Sequence, residues 1–176
     1  LKLAAEAVSG GCDWLEAGTP LIKAEGLNAV RELKSRFPRI PVVADMKTMD
    51  VGRTEVEIAT KAGASIVGIL GASNDETIKE AVAAARNYGA KIVVDMIEVK
   101  DAIKRAKEVE KLGADYIGIH IPIDEQMKGK FSFDIVKKVS AAIKIPVTVA
   151  GGINSTSAAG VVKAGASVVV VGGAIT

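Results

Sequence analysis

One module, repeated along the chain, constrains what it can fold into more than any other feature. A helix-like stretch meets a glycine break and is followed by a short β-branched run. The breaks are Gly10-Gly11-Cys12, Ala62-Gly63-Ala64, Tyr88-Gly89-Ala90, Leu112-Gly113-Ala114 and Ala164-Gly165-Ala166. Each falls where a helix would end on a residue tolerant of positive φ. Two further units stop their helix with proline, at Phe37-Pro38-Arg39-Ile40-Pro41 and Ile143-Lys144-Ile145-Pro146. The unit recurs roughly every 20–30 residues, the size of a βα module. The predicted strands are Asp13 to Ala17, Val42 to Lys47, Ser65 to Leu70, Lys91 to Ile97, Tyr116 to Ile121, Pro146 to Ala150 and Ser167 to Val171. Between them run amphipathic helices. In Thr77 to Asn87 the stripe is Ile78, Ala81, Val82 and Ala85, and in Lys100 to Leu112 it is Ile103, Ala106, Val109 and Leu112.

Strands in strict alternation with helices leave two architectures, a doubly wound sheet and a TIM (βα)8 barrel. Even modules and polar strand ends favour the barrel. The chain opens on a helix, Leu1 to Val8, and closes on a strand. It therefore reads as a single α/β barrel domain over 1–176 that lacks the first strand and last helix. Either it is a piece of a longer chain or its open edges pair elsewhere, because bare strand edges invite aggregation.

Composition narrows the function. With 49% apolar residues, 3% aromatic and 18 glycines, the mix suits close-packed parallel strands and helices. The net charge of +2 is spread over the helices, and aromatic stacking residues are scarce, so nucleic acid is not an expected partner. Cys12 is the only cysteine, expected in a core strand, and a reducing compartment is the simpler assumption. No uninterrupted apolar run reaches the ~18 residues of a spanning helix. These features predict a cytoplasmic chain with no membrane partner.

Barrels place chemistry at the C-terminal ends of their strands. Those ends carry Glu16, Asp45 with Lys47, Asp95, His120, Gly151-Gly152 and Gly172-Gly173. Asp45 and Lys47, two apart, share one face of a strand and are expected to meet. Taken alone, Asp-x-Lys-x-x-Asp fits a structural ion pair as well as a reactive site. Glu16 and Asp45 offer oxygen ligands to a hard cation such as Mg²⁺, although two acids and a lysine can equally form a metal-free network. His120, the only histidine, suits acid–base work, but a lone histidine also serves as an ordinary satisfied polar residue. The two glycine pairs follow the last two strands, where barrels often hold a phosphate on backbone N–H groups, and Asn154 is a candidate helix cap.

Four stretches carry a resemblance. They are Trp14-Leu15-Glu16-Ala17-Gly18-Thr19-Pro20-Leu21-Ile22, Asp45-Met46-Lys47-Thr48-Met49-Asp50-Val51-Gly52, Ile119-His120-Ile121-Pro122-Ile123-Asp124-Glu125-Gln126 and Val149-Ala150-Gly151-Gly152-Ile153-Asn154. Over essentially its whole length the chain resembles the 3-hexulose-6-phosphate synthases of archaeal type, members of the orotidine 5′-monophosphate decarboxylase superfamily. The resemblance implies a reversible, Mg²⁺-dependent aldol reaction joining formaldehyde to D-ribulose 5-phosphate through an enediolate. By position, Glu16 and Asp45 would hold the metal, Lys47 would hydrogen-bond the enediolate and His120 would shuttle the proton. Gly151, Gly152, Gly172 and Gly173 would bind the phosphate. Asp50 would reach into the partner's site, which implies a homodimer with shared active sites. The chain departs from the family at both ends and in Ile121-Pro122-Ile123.

Two rivals are set against it. The related 3-keto-L-gulonate 6-phosphate decarboxylase would place an Arg after His120, and none occurs between His120 and Thr176. A non-catalytic barrel fragment serving as a dimerisation or regulatory module would have no use for ions in its mouth, where apolar residues would be more stabilising.

Overall fold

The structure is a computed structural model and describes residues 1–120 and 133–176. Its strands are β1 (Leu15–Ala17), β2 (Val42–Thr48), β3 (Ile66–Leu70), β4 (Lys91–Asp95), β5 (Tyr116–His120), β6 (Val147–Ala150) and β7 (Val168–Val169). They form one sheet in sequence order, every neighbouring pair parallel. That order is the one expected of a barrel wall and not of a doubly wound sheet, whose order reverses midway. Residues of β1 to β6, with Val170 just after β7, line a single cavity. Trp14, ahead of β1, meets Tyr116 of β5 edge-on with ring centroids 5.6 Å apart. The sheet is thus curled, with the opposite wall in reach of its first strand, and the architecture is TIM-barrel-like.

The helices are α1 (Lys2–Ser9), α2 (Thr19–Glu25), α3 (Asn28–Arg36), α4 (Gly52–Lys61), α5 (Asp75–Tyr88), α6 (Ala102–Lys111), α7 (Asp134–Ala142) and α8 (Ala158–Lys163). The apolar stripes behave as their spacing predicts. In α5, Ile78, Ala81 and Ala85 of the stripe are fully buried together with Ala84, Val82 is half-buried, and Asn74 caps the helix by accepting from the Thr77 N–H at 2.8 Å. In α6, Ala106 and Val109 are fully buried. Their partners are the outward faces of the strands, where Val42, Val67, Ile69, Ile92, Val94 and Ile117 are inaccessible. At Gly63 and Gly165, both at φ +109°, the chain reverses from helix to strand as the breaks require.

Four local expectations are corrected. β4 stops at Asp95, two residues short of the expected Ile97, where the Asp95 carboxylate accepts the Ile97 N–H and the chain turns. Cys12 lies in the turn between α1 and β1, half-buried, and not in a core strand. β1 begins at Leu15 and not at Asp13, and β7 ends at Val169 and not at Val171, because each is a margin of the sheet with one neighbour. Asn154 accepts from the N–H groups of Thr156 and Ser157, so it fixes the turn ahead of α8 and does not cap the helix itself. The end of the fifth predicted strand, at Ile121, lies outside the described residues.

Candidate active site

The wall directs its charges to one mouth. A cavity of about 60 Å³ opens among Glu16, Asp45, Lys47, Asp95 and His120, over a floor that includes Val43, Gly68, Val93, Gly118 and Thr148. Lys47 is its centre. Its Nζ donates to Asp95 Oδ2 at 2.6 Å and to Asp45 Oδ1 at 3.3 Å, and lies 3.5 Å from His120 Nδ1. The predicted meeting of Asp45 and Lys47 therefore occurs, but the shorter bond runs to an acid 48 residues away. The cause is local. Lys47 has φ +48°, and the β2–β3 register shifts between Ala44 and Thr48. A kinked strand end re-aims the lysine across the mouth, and a lysine in left-handed backbone persists only where its surroundings hold it there.

Asp95 ends β4 with its side chain 10% exposed. Besides Lys47 it holds the Ile97 N–H at 2.9 Å and faces His120 Nδ1 at 3.4 Å. Burial opposes its charge, but the contacts with His120 and Lys47 outweigh burial and hold the carboxyl below its usual range. The reciprocal holds for Lys47, which burial would discharge but which Asp95 and Asp45 keep charged, with a raised pKa. His120 ends β5, half-buried. Its Nδ1 faces both Asp95 and the Lys47 ammonium, and in the tautomer that donates Nδ1–H to Asp95, Nε2 retains the ring's lone pair.

Glu16 sits on β1 beside this group, its strand paired with β2. Although the side chain stays accessible along the mouth, crowding by the surrounding strand ends and then the negative charge of Asp45 push its carboxyl up to about 7. Two acids that repel each other across a mouth suit a divalent cation. Among the described residues no three His, Cys, Asp or Glu side chains are grouped to hold a metal. A cation here would take two protein carboxylates and fill its shell with water and substrate, as Mg²⁺ characteristically does. The donor set fits that ion.

The other predicted residues are placed as follows. Asp50 is exposed in the loop between β2 and α4, where its carboxylate accepts the Val51 N–H at 2.8 Å, and it does not line the cavity. That loop is anchored from behind, where the buried Thr48 hydroxyl donates to Glu55. Gly151 and Gly152 follow β6 at φ +106° and +65°, next to the cavity's Ala150. Gly172 and Gly173 are exposed beyond β7, next to Val171, with nothing packed against their Cα positions. Asp124-Glu125-Gln126 lies outside the described residues.

Sequence reading left two partners of the site without a role. Asp95 stood among the strand ends, but its bond to Lys47 depends on β2 and β4 flanking β3. Thr19, at the start of α2, donates to Asp45 at both its backbone oxygen (2.8 Å) and Oδ2 (2.6 Å). No local periodicity links residues 26 apart; only the β1–β2 pairing does.

A family model, described as orotidine 5′-phosphate decarboxylase / HUMPS family, matches residues 1–176. The chain belongs to this family. A Bacillus subtilis (strain 168) protein named 3-hexulose-6-phosphate synthase is 46% identical over 165 residues, 93% of this chain and 79% of that protein. A crystal structure of 3-hexulose-6-phosphate synthase superposes with a TM-score of 0.93 at 44% identity, covering 99% of this chain and 84% of that one. The 3-keto-L-gulonate-6-phosphate decarboxylase of Vibrio cholerae stands further off, at 27% identity and a TM-score of 0.77 over 89% of this chain and 74% of that one. Within the family, this chain is most like the synthases among these three. No helix among the described residues is long and apolar enough to cross a membrane.

Proposed function

We propose that this chain is an aldehyde-lyase, condensing formaldehyde with D-ribulose 5-phosphate to D-arabino-hex-3-ulose 6-phosphate, reversibly. The observation that carries the reading is the convergence of Lys47 on Asp45, Asp95 and His120 within 3.5 Å at the mouth of the barrel. Carbon–carbon bond formation next to a carbonyl needs a base for the C1 proton and positive charge for the enediolate that results.

His120 is the base. The Nδ1 contact with Asp95 fixes the ring. The Lys47 ammonium, kept charged by two carboxylates, donates to an enediolate oxygen. C1 then bonds to the formaldehyde carbon, and the formaldehyde oxygen takes back the proton held by His120, so no net proton is gained or lost. Glu16 and Asp45 hold Mg²⁺, which supplies further positive charge at the sugar oxygens when bound. The phosphate rests on the backbone N–H groups of Gly151, Gly152, Gly172 and Gly173, placed after the last two strands where barrels bind phosphate.

Asp50 supports a homodimer with shared sites. It stands exposed on a loop outside its own cavity, between Met49 and Val51, which are 54% and 59% exposed. Apolar side chains beside an acid suit a surface that a second copy covers. We place the chain in the cytoplasm, consistent with a single, unpaired cysteine.

The decarboxylase reading has no arginine between His120 and Thr176 to support it. A non-catalytic module leaves the ions of the mouth unexplained. Formaldehyde consumption with D-ribulose 5-phosphate, with and without Mg²⁺, tests the proposal. Metal-dependent consumption is the expected result, and a protein that binds ribulose 5-phosphate but never consumes formaldehyde overturns it.

A further inference from the structure

We propose that Thr19 and Gly68 are positioning residues that fix the Asp45 carboxylate from its two sides and so set the geometry of the cation site. The proposal rests on the reading of Asp45 as a metal ligand. A threonine at the start of a helix ordinarily spends its hydroxyl on capping. Here the cap is Gly18, no side chain caps α2, and the Thr19 hydroxyl is directed elsewhere. It faces two acceptors of one residue, Asp45 O at 2.8 Å and Oδ2 at 2.6 Å. A hydroxyl has a single proton. Shared between those acceptors, it ties the side chain of Asp45 to its own backbone and holds the rotation of the carboxylate. Oδ2 is thereby engaged, and Oδ1 is the oxygen turned to Lys47. Thr19 is only 9% exposed, so water does not replace it readily.

On the other side of Asp45, Gly68 interrupts β3 (Ile66–Leu70), whose other residues are all apolar and bulky. A glycine inside a strand weakens it and needs a reason. Backbone conformation is not the reason, because Gly68 is absent from the positive-φ glycines. Space is. A Cβ at this position would stand 3.1 Å from Asp45 Oδ1 and 3.4 Å from its Cα. A side chain at 68 would press on the carboxylate, which would have to give by a few tenths of an ångström.

The test uses Thr19→Val, Thr19→Ser and Gly68→Ala. Mn²⁺, read by the electron paramagnetic resonance of the free ion, serves as the probe, alongside thermal melting and kcat and KM for ribulose 5-phosphate. Groups that orient a metal ligand typically contribute ~10–100-fold to affinity. Thr19→Val and Gly68→Ala are expected to weaken Mn²⁺ binding by that order while remaining folded. Thr19→Ser keeps the hydroxyl and is expected within about twofold of the native protein. Excess metal should return part of the lost kcat, which a general loss of structure would not allow. Native affinity in both Thr19→Val and Gly68→Ala overturns the proposal, as does an equal loss in Thr19→Ser and Thr19→Val. Should Thr19→Val not fold, native affinity in Gly68→Ala alone overturns it. If Asp45→Asn leaves Mn²⁺ affinity unchanged, the metal reading of Asp45 fails first and the proposal falls with it.

Discussion

Replacing Lys47 with methionine isolates the electrostatics of the mouth, because the unbranched stem is kept nearly to its end and the charge is lost. At 2.6 Å the Lys47–Asp95 attraction is about 6 kcal/mol gross at an effective dielectric of ~20. Desolvation of both ions offsets most of it, so the net worth of the pair is small. Removing one partner is different. It leaves Asp95, only 10% exposed, facing Asp45 across the mouth with the intervening cation gone. Breaking a fully buried pair costs ~3–5 kcal/mol, and with Lys47 itself 22% exposed we expect about 2–3 kcal/mol near pH 7.5. The pH dependence should also change. In the native protein the folded-state pKa of Asp95 is depressed, so its contribution is present above the unfolded pKa and lost as pH falls through the folded one. Without Lys47 the His120 and Ile97 contacts remain but burial counts for more, so the Asp95 pKa rises relative to the native protein. The gap between native and variant protein therefore narrows as pH falls, from pH 7.5 to pH 4. Urea denaturation at the two pH values measures it, and Lys47→Met/Asp95→Asn should recover at least ~1 kcal/mol of the loss at pH 7.5 while restoring no turnover. A loss below ~0.5 kcal/mol with an unchanged pH slope, typical of a surface substitution, would refute the buried-network reasoning.

Glu16, pushed up to about 7, keeps a proton in the folded state that the unfolded chain releases at the usual carboxylate pKa. The metal-free protein should thus lose stability as pH rises between those values, and cation affinity should fall roughly tenfold per unit as pH drops below about 7. Calorimetry in buffers of different ionisation heat reads the released proton, and Glu16→Gln should abolish that release. His120→Gln should slow exchange of the C1 proton of ribulose 5-phosphate with solvent by ~100-fold or more while the metal still binds, as followed by NMR in D₂O. Asp50→Ala and His120→Gln should each be inactive alone. Mixed and re-equilibrated, they should recover about a quarter of native activity, because half the dimers would be hybrids with one intact site of two. No recovery in proven hybrids would place Asp50 in its own subunit's chemistry or in none.

The fold was more legible than the site because its signals are local. A glycine or proline break and the apolar, mostly β-branched run after it specify a strand whatever happens elsewhere, and strict alternation then fixes parallel order. Strand ends shifted at β1 and β7, which pairing and not propensity delimits, and at β4, which stops at Asp95 where that carboxylate takes the Ile97 N–H. In the site, Asp45 and Lys47 were found by their spacing, yet spacing assumed a regular pleat. The backbone at Lys47 is left-handed, in a residue type with no preference for that region, so nothing in the sequence signalled that its ammonium would reach Asp95. Thr19 was hidden for a related reason, since its partner belongs to the next strand. Gly68 carries no local signal either, because the carboxylate it lies against belongs to the neighbouring strand. These misses share a cause. A barrel mouth is assembled from one or two residues per strand, and the contacts that tune them run sideways across the sheet, perpendicular to any period a single chain displays.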